Sequence, residues 1–244
     1  MSASLFIADL HLSEKTPLVT QCFLDFLEGP CAGAESLYVL GDLFETWVGD
    51  DDRFAPFHAR IIQALAALVG RGTALWIMHG NRDFLMGPDF IRDCSATLLP
   101  DPTIILLNGA RTLLTHGDQL CIDDVEYQTW RKQVRSASWQ RKVLAQPLEV
   151  RYAMAREATR MSHKAKQAKA MEIMDVSPQA VTDLLRKQDY PHLIQGHTHR
   201  PARHVYRLDD HTCERWVLQD WNQERAGYLL CDESGCRAMT LAVA

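Results

Sequence analysis

The sequence has no CxxC pair. Its seven cysteines, Cys22, Cys31, Cys94, Cys121, Cys213, Cys231 and Cys236, are odd in number and spread along the chain. That spacing argues against a cysteine zinc site and against a disulfide framework, and favours a reducing compartment. No apolar run reaches the ~18 residues needed to cross a bilayer. The chain enters strand-forming residues directly, without the basic and then apolar stretch of a secretory signal. A cytoplasmic protein is the expectation, with any membrane contact peripheral. A net charge of −5 gives no nucleic-acid footprint. There is no GxxxxGKS/T loop, GxGxxG turn or GxSxG elbow, so NTPase, dinucleotide and serine-hydrolase readings find no support.

What the chain does have is a series of short hydrophobic strands that stop at metal-capable side chains. The first, Leu5-Phe6-Ile7-Ala8, ends at Asp9-Leu10-His11. A strand pleats with period two, so Asp9 and His11 can point to one side where the strand opens. Residues 17–28 read as a helix, with Leu18, Cys22, Leu24 and Phe26 on its apolar side. Leu37-Tyr38-Val39-Leu40 then runs into Gly41-Asp42, and an aspartate run follows at Asp50, Asp51 and Asp52. A helix over 56–69 ends at Gly70 and Gly72, and the strand 74–78 runs into His79-Gly80-Asn81-Arg82-Asp83. Asn108-Gly109 turns a hairpin whose second strand ends at His116-Gly117-Asp118. Ser177-Pro178 caps a helix over 178–188. His192-Leu193-Ile194 opens into Gln195-Gly196-His197-Thr198-His199, and an alternating tail, 202–244, completes the sheets.

Five strand exits therefore carry Asp9/His11, Asp42, Asn81, His116 and His197/His199. Ligands in α/β sheets sit outside the carboxyl ends of the strands, so these exits converge. Each residue alone has an ordinary reading as a turn former or a satisfied histidine. Five such coincidences do not. Two Asp, one Asn and four His supply oxygen and nitrogen donors without thiolate, which suits Mn²⁺, Fe or Zn²⁺ better than Ca²⁺. Seven ligands exceed what one open ion needs and fit two ions sharing a carboxylate. Such a pair, ~3.5–4 Å apart, clamps the attacking and leaving oxygens of an in-line displacement at phosphorus.

The series Asp9-x-His11, Gly41-Asp42, Gly80-Asn81, His116-Gly117, Gly196-His197-x-His199 resembles the calcineurin-like metallophosphoesterases. Leu40-Gly41-Asp42-Leu43-Phe44-Glu45, Gly49-Asp50-Asp51-Asp52, His79-Gly80-Asn81-Arg82-Asp83-Phe84-Leu85, Asp123-Asp124 and Ile173-Met174-Asp175-Val176 narrow the resemblance to the UDP-2,3-diacylglucosamine pyrophosphatases of lipid A biosynthesis. The resemblance runs almost end to end. It implies a four-layer α-β-β-α sandwich of the α/β class, with a core of 1–123 and 176–244 and an inserted helical lid over 124–175. It implies hydrolysis of UDP-2,3-diacylglucosamine to UMP and 2,3-diacylglucosamine 1-phosphate, by water attack on the α-phosphorus assisted by two Mn²⁺. Asp9, His11 and His199 would hold one ion, Asn81, His116 and His197 the other, and Asp42 would bridge. Asp42, Asn81, Arg82 and His116 would serve catalysis. Substrate contacts would fall on Asn81, Arg82, Asp124, Ser162, Lys166, Lys169 and His197. Two positions depart from the pattern: Lys166 stands where relatives carry Asn, and Gln195 where His is frequent.

Arg82 adds a physical discrimination. Many metallophosphoesterases carry His after the Gly-Asn pair, able to protonate an alkoxide. A guanidinium keeps its proton at working pH. A phosphate-monoester leaving group, with a second pKa near ~6, needs none. Arg82 suits the neutralisation of phosphoryl oxygens instead, favouring P–O–P cleavage.

Residues 125–175 hold 11 Lys or Arg against 5 Asp or Glu, so a basic helical insertion sits in an acidic remainder. Its Tyr127, Trp130, Val134, Trp139, Val143, Leu144, Leu148, Tyr152 and Met154 either pack a small core of their own or form an acyl-binding interior. Basic amphipathic helices with Trp and Leu also lie in membrane interfaces, which points to the cytoplasmic face of an anionic inner membrane. No nucleic-acid or obligate protein partner is expected. Two other functions fit the same motifs: a hydrolase of soluble nucleotides such as dinucleoside polyphosphates, and a non-catalytic metal-binding scaffold.

Overall fold

The strand Ser4–Ile7 (β1) shows how the layers arise, because its side chains alternate between two different cores. Leu5 and Ile7 enter a cluster with Val19, Phe23 and Phe26 of the helix Pro17–Glu28 (α1) and Ile61 and Leu65 of the helix Pro56–Gly70 (α2). Phe6 and Ala8 face the other way, into a cluster with Tyr38, Leu40, Met78, Leu114 and Ile194. The computed structural model describes residues 3–168 and 175–243, without the side chains of 163–168.

Two sheets face each other across that second cluster. The strands Ser36–Leu40 (β2), Ala74–Met78 (β3) and Thr97–Leu99 (β4) extend β1 in parallel on one side. On the second sheet lie Thr103–Leu107 (β5), Ala110–Thr115 (β6), His192–Gln195 (β7), Ala202–Leu208 (β8) and His211–Val217 (β9). The strands Ala226–Asp232 (β10) and Gly235–Leu241 (β11) close the first sheet. The orders are β11-β10-β1-β2-β3-β4 and β5-β6-β7-β9-β8. The short helix Pro88–Asp93 (α3) precedes β4. The helices Val125–Val134 (α4), Ala137–Leu144 (α5) and Leu148–Ala168 (α6) form the insertion, and Pro178–Lys187 (α7) follows it. Val181 and Leu185 of α7 pack on Leu113, Leu193 and Cys213, a third cluster that covers the outer face of the second sheet. Helix, sheet, sheet, helix is the four-layer α/β order the motifs imply. The alternation of β1 and the one-sided burial of α1, α2 and α7 produce it.

Several local features differ from the sequence reading. Leu18 is 46% exposed, because Val19, Cys22, Phe23, Phe26 and Leu27 form the buried face of α1. Ser177 occupies the N-cap position of α7 but makes no side-chain cap bond. The helix α3 and the strand β4 were not expected, being too short for a periodic pattern. Cys231 and Cys236 are joined by a disulfide, since the β10–β11 register sets them directly opposite, Cα atoms 4.1 Å apart. Cys22, Cys31, Cys94, Cys121 and Cys213 are buried and lie outside that disulfide.

The aspartate run after β2 holds the structure together. Asp50 accepts hydrogen bonds from Gly87, Asp89 and Phe90 amides at 2.8, 2.9 and 3.1 Å, satisfying the start of α3 from a distant loop. Asp51 pairs with Arg151 of α6 through both of its carboxylate oxygens. Asp52 accepts from the Tyr152 hydroxyl at 2.5 Å. The insertion is thereby clasped to the core at its α6 end.

Candidate metal centre

Asp9, His11, Asp42, His197 and His199 all adopt φ between +50° and +71°. Left-handed backbone is costly for residues with a side chain and persists where surrounding bonds enforce it. Here the exits of neighbouring strands enforce it on each other. The Leu10 and His11 amides both donate to the Asp42 carbonyl, at 2.9 and 3.0 Å, and Gly196 N donates to His116 O at 3.1 Å. Each kink turns a side chain back over the ends of the strands.

The result is one cluster containing all seven residues named from the sequence. Nε2 atoms of His11 and His199 lie 3.4 Å apart. His199 Nε2 stands 3.6 Å from Asp9 Oδ1. Asp42 sits in the middle: Oδ2 is 3.8 Å from His11 and Oδ1 is 3.9 Å from His116. His116 Nε2 is 3.1 Å from Asn81 Oδ1. The His116 and His197 rings lie 5.0 Å apart, centre to centre. Two sets of donor atoms, Asp9/His11/His199 and Asp9/Asp42/His116, each fall within 4.8 Å of one another.

Close approach explains two of the glycines. A Cβ on Gly80 would lie 2.1 Å from Asp42 Oδ1, and one on Gly196 would lie 2.5 Å from Asp9 Oδ2. Both carboxylates are seated on bare backbone, and both also take backbone donors. Arg82 N donates to Asp42 Oδ1 at 2.8 Å, and His197 N to Asp9 Oδ2 at 2.7 Å.

The donor set fits a divalent cation. Asp9 is fully buried, yet its Oδ1 has no hydrogen-bond partner among the described residues. A buried carboxylate oxygen left bare and facing two imidazoles is the environment a cation satisfies. His116 Nδ1 lies 2.9 Å from the Leu40 carbonyl, which fixes that nitrogen as the donor and leaves Nε2 to the cluster. Electrostatics point the same way. Burial alone would lower the pKa of His116, but the Asp42, Asp9 and Asp118 carboxylates raise it to about 9. His197, buried and beside His116, is pushed down to about 4. Asp83 is raised to about 6 by burial and by Asp42.

Asp83 and Asp118 are site-building residues that the sequence reading did not single out. Asp83 accepts from Gly80 N and Leu43 N at 2.8 and 2.7 Å, tying the two loops that carry Asn81 and Asp42. Asp118 accepts from Tyr127 and Arg131 of α4 at 2.8 and 2.7 Å, anchoring the insertion beside His116. The Tyr127 ring lies against His197. The signal in the sequence was position, since each stands two residues after a ligand, Asn81 or His116.

Three of the remaining predicted residues have described side chains. Arg82 Nη1 lies 3.0 Å from Thr159 Oγ1 of α6 and 3.7 Å from Glu45 Oε1. Asp124 caps α4, accepting from Tyr127 N at 3.1 Å. Ser162 is half-buried on α6. Lys169, Ile173 and Met174 lie outside the described residues, as does the side chain of Lys166.

Comparison with known proteins gives the family. The family model "Calcineurin-like phosphoesterase" matches residues 4–201. A protein of Aromatoleum aromaticum named UDP-2,3-diacylglucosamine hydrolase is 48% identical over 96% of this chain and 94% of its own length. One of the same name from Chromobacterium violaceum is 46% identical over 97% of this chain and 98% of its own. Another, from Marinobacter nauticus, is 44% identical over 90% of each. The chain belongs to the calcineurin-like phosphoesterase family.

Proposed function

We infer that this chain hydrolyses the pyrophosphate bond of UDP-2,3-diacylglucosamine, yielding UMP and 2,3-diacylglucosamine 1-phosphate, a step of lipid A biosynthesis. The observation that carries the reading is the end-to-end identity of 44–48% with three proteins named for that hydrolysis. The intact ligand cluster accompanies it.

Asp9, His11 and His199 would hold one divalent ion, and Asn81, His116 and His197 a second, with Asp42 between them. Manganese is the proposed metal, supported by mixed carboxylate, amide and imidazole donors. Bound there, a pair of divalent cations supplies Lewis-acid stabilisation at phosphorus and lowers the pKa of water. The protein's own groups do the rest. Asp42 is fixed by the Arg82 amide, and His116 by the Leu40 carbonyl, so neither reorganises during reaction. Arg82, which lies 3.7 Å from Glu45 and 3.0 Å from the Thr159 hydroxyl, would neutralise a phosphoryl oxygen. Its guanidinium keeps its proton at working pH and so does not serve as the acid for an alkoxide, which favours a phosphate leaving group.

The insertion would cover the lipid end of the substrate and dock peripherally on the cytoplasmic face of an anionic inner membrane. Support comes from Val150, Met154 and Met161, which are exposed on one side of α6 among basic residues. Among the described residues no helix is long and apolar enough to span a membrane.

Turnover of the UDP-lipid with no turnover of dinucleoside polyphosphates supports this reading. The reverse preference would replace it with hydrolysis of soluble nucleotides.

A further inference from the structure

A concavity of about 470 Å³ has no part in the reaction as described. His199 forms part of its wall, so it is one imidazole away from the candidate metal cluster. Three arginines line it, Arg200, Arg215 and Arg225, with His204 and Asp175.

The arginines are not equivalent. Arg200 pairs with Asp175. Arg225 donates to Asp220 Oδ1 at 2.6 Å. Arg215, on β9 directly opposite His204 of β8, is only 6% exposed. Among the described residues its Nε and Nη1 have no acceptor and no carboxylate pairs with it. The Tyr206 ring centre lies 5.8 Å from its guanidinium carbon. His204 is held below its ordinary pKa, first by burial and then by the Arg215 charge. Buried charges are ordinarily paired, because removal from water is otherwise uncompensated. Arg215 is an exception at the wall of a cavity.

We propose that this pocket is an anion subsite, in which Arg215 takes a phosphate group while Arg200 and Arg225 line its rim. A phosphate presents several acceptor oxygens to one planar guanidinium, the pairing for which arginine is suited. Asp175 and Asp220 offset the rim arginines, and among the described residues no carboxylate offsets Arg215, so its charge calls for an anion. That the phosphate belongs to a nucleotide product rests on the proposed function. The existence of the subsite does not, and free orthophosphate has the same chemistry.

Calorimetric titration of the full-length protein with sodium orthophosphate, metal-loaded and after chelation, tests the proposal. A phosphate site that survives chelation is expected. Arg215→Met should weaken it at least tenfold and Arg215→Lys by less, with both variants melting as cooperatively as the parent. UMP that competes for this site identifies the nucleotide as its occupant. UMP that does not compete leaves orthophosphate as the ligand. Absence of any chelation-resistant phosphate site, or unchanged affinity in Arg215→Met, overturns the proposal. If Arg215→Met does not fold, Arg215→Lys decides alone: unchanged affinity there overturns it. Loss of UDP-lipid turnover with phosphate binding intact would count against the proposed function and not against the subsite.

Discussion

Asp9 Oδ2 accepts a 2.7 Å hydrogen bond from the backbone amide of His197, so a residue near the start of the chain sets the loop that carries two of the imidazoles. The other oxygen of the same carboxylate is left bare toward His11 and His199. One side chain thus joins the two halves of the fold and presents an atom to the cluster. The predictions below begin at this joint.

Gly196→Ala should break it. The added methyl would lie 2.5 Å from Asp9 Oδ2 and 2.6 Å from Ala8 Cβ, both fully buried. Overpacking of this kind costs about 1–3 kcal/mol. Asp9 must also rotate, so bound metal should fall together with the melting temperature. Thermal melting and elemental analysis would check this; unchanged metal content would mean that the Asp9 seat is not needed.

Arg151→Ala tests the clasp between insertion and core. The guanidinium is 3% exposed and donates to the Val48 and Gln146 carbonyls at 2.6 and 2.9 Å, besides pairing with Asp51. Orphaning buried carbonyls costs about 1–3 kcal/mol. Asp51 is 58% exposed, so solvent screens the ion pair itself. Arg151→Ala should therefore lower stability by about 2 kcal/mol, and Asp51→Ala by less than about 1 kcal/mol. Equal losses in denaturant titrations would assign the clasp to charge and not to the carbonyls.

His116 sets a pH dependence. Its pKa is raised to about 9 in the metal-free fold, against an unfolded value near 6.5. Its contribution to metal-free stability is complete below about pH 6.5 and is lost as pH rises through about 9. A metal needs the neutral imidazole. Metal uptake near pH 7.5 should release a proton, and affinity should rise with pH up to about 9. Calorimetry in two buffers of different ionisation enthalpy reads the proton count; no release would contradict the assignment of His116 as a ligand.

Arg82→Ala should reduce turnover of the UDP-lipid by about a hundredfold or more, through loss of a transition-state contact. The Asp42 seat should survive, because it uses the Arg82 backbone amide. Retained metal content with reduced kcat is the expected signature. Arg82→His should improve the relative rate on simple alkyl phosphates; comparable wild-type turnover of a nucleoside monophosphate and the UDP-lipid would contradict the preference for P–O–P cleavage.

What could be read from the sequence was what each strand does locally. Asp9, His11, Asp42, Asn81, His116, His197 and His199 stand at strand exits, where periodicity marks them and a glycine adjoins Asp42, Asn81, His116 and His197. Asp50 was legible only as a loop acid, because the helix it caps begins 38 residues later. The role of Asp51 and Asp52 required knowing that α6, a hundred residues away, folds back onto them. The Cys231–Cys236 link depends on hairpin register, which cysteine spacing alone does not define. Arg215 lies in the alternating tail, where nothing in the sequence marks it. That no carboxylate among the described residues pairs with it appears only once β8 and β9 are assembled.

The most direct measurement is release of UMP from UDP-2,3-diacylglucosamine by the full-length protein, first with Mn²⁺ and then with excess chelator. The account predicts stoichiometric UMP and 2,3-diacylglucosamine 1-phosphate with Mn²⁺ and loss of turnover on chelation, restored by adding the metal back. Release of UMP that continues undiminished in chelator, or no release with Mn²⁺ present, would contradict it.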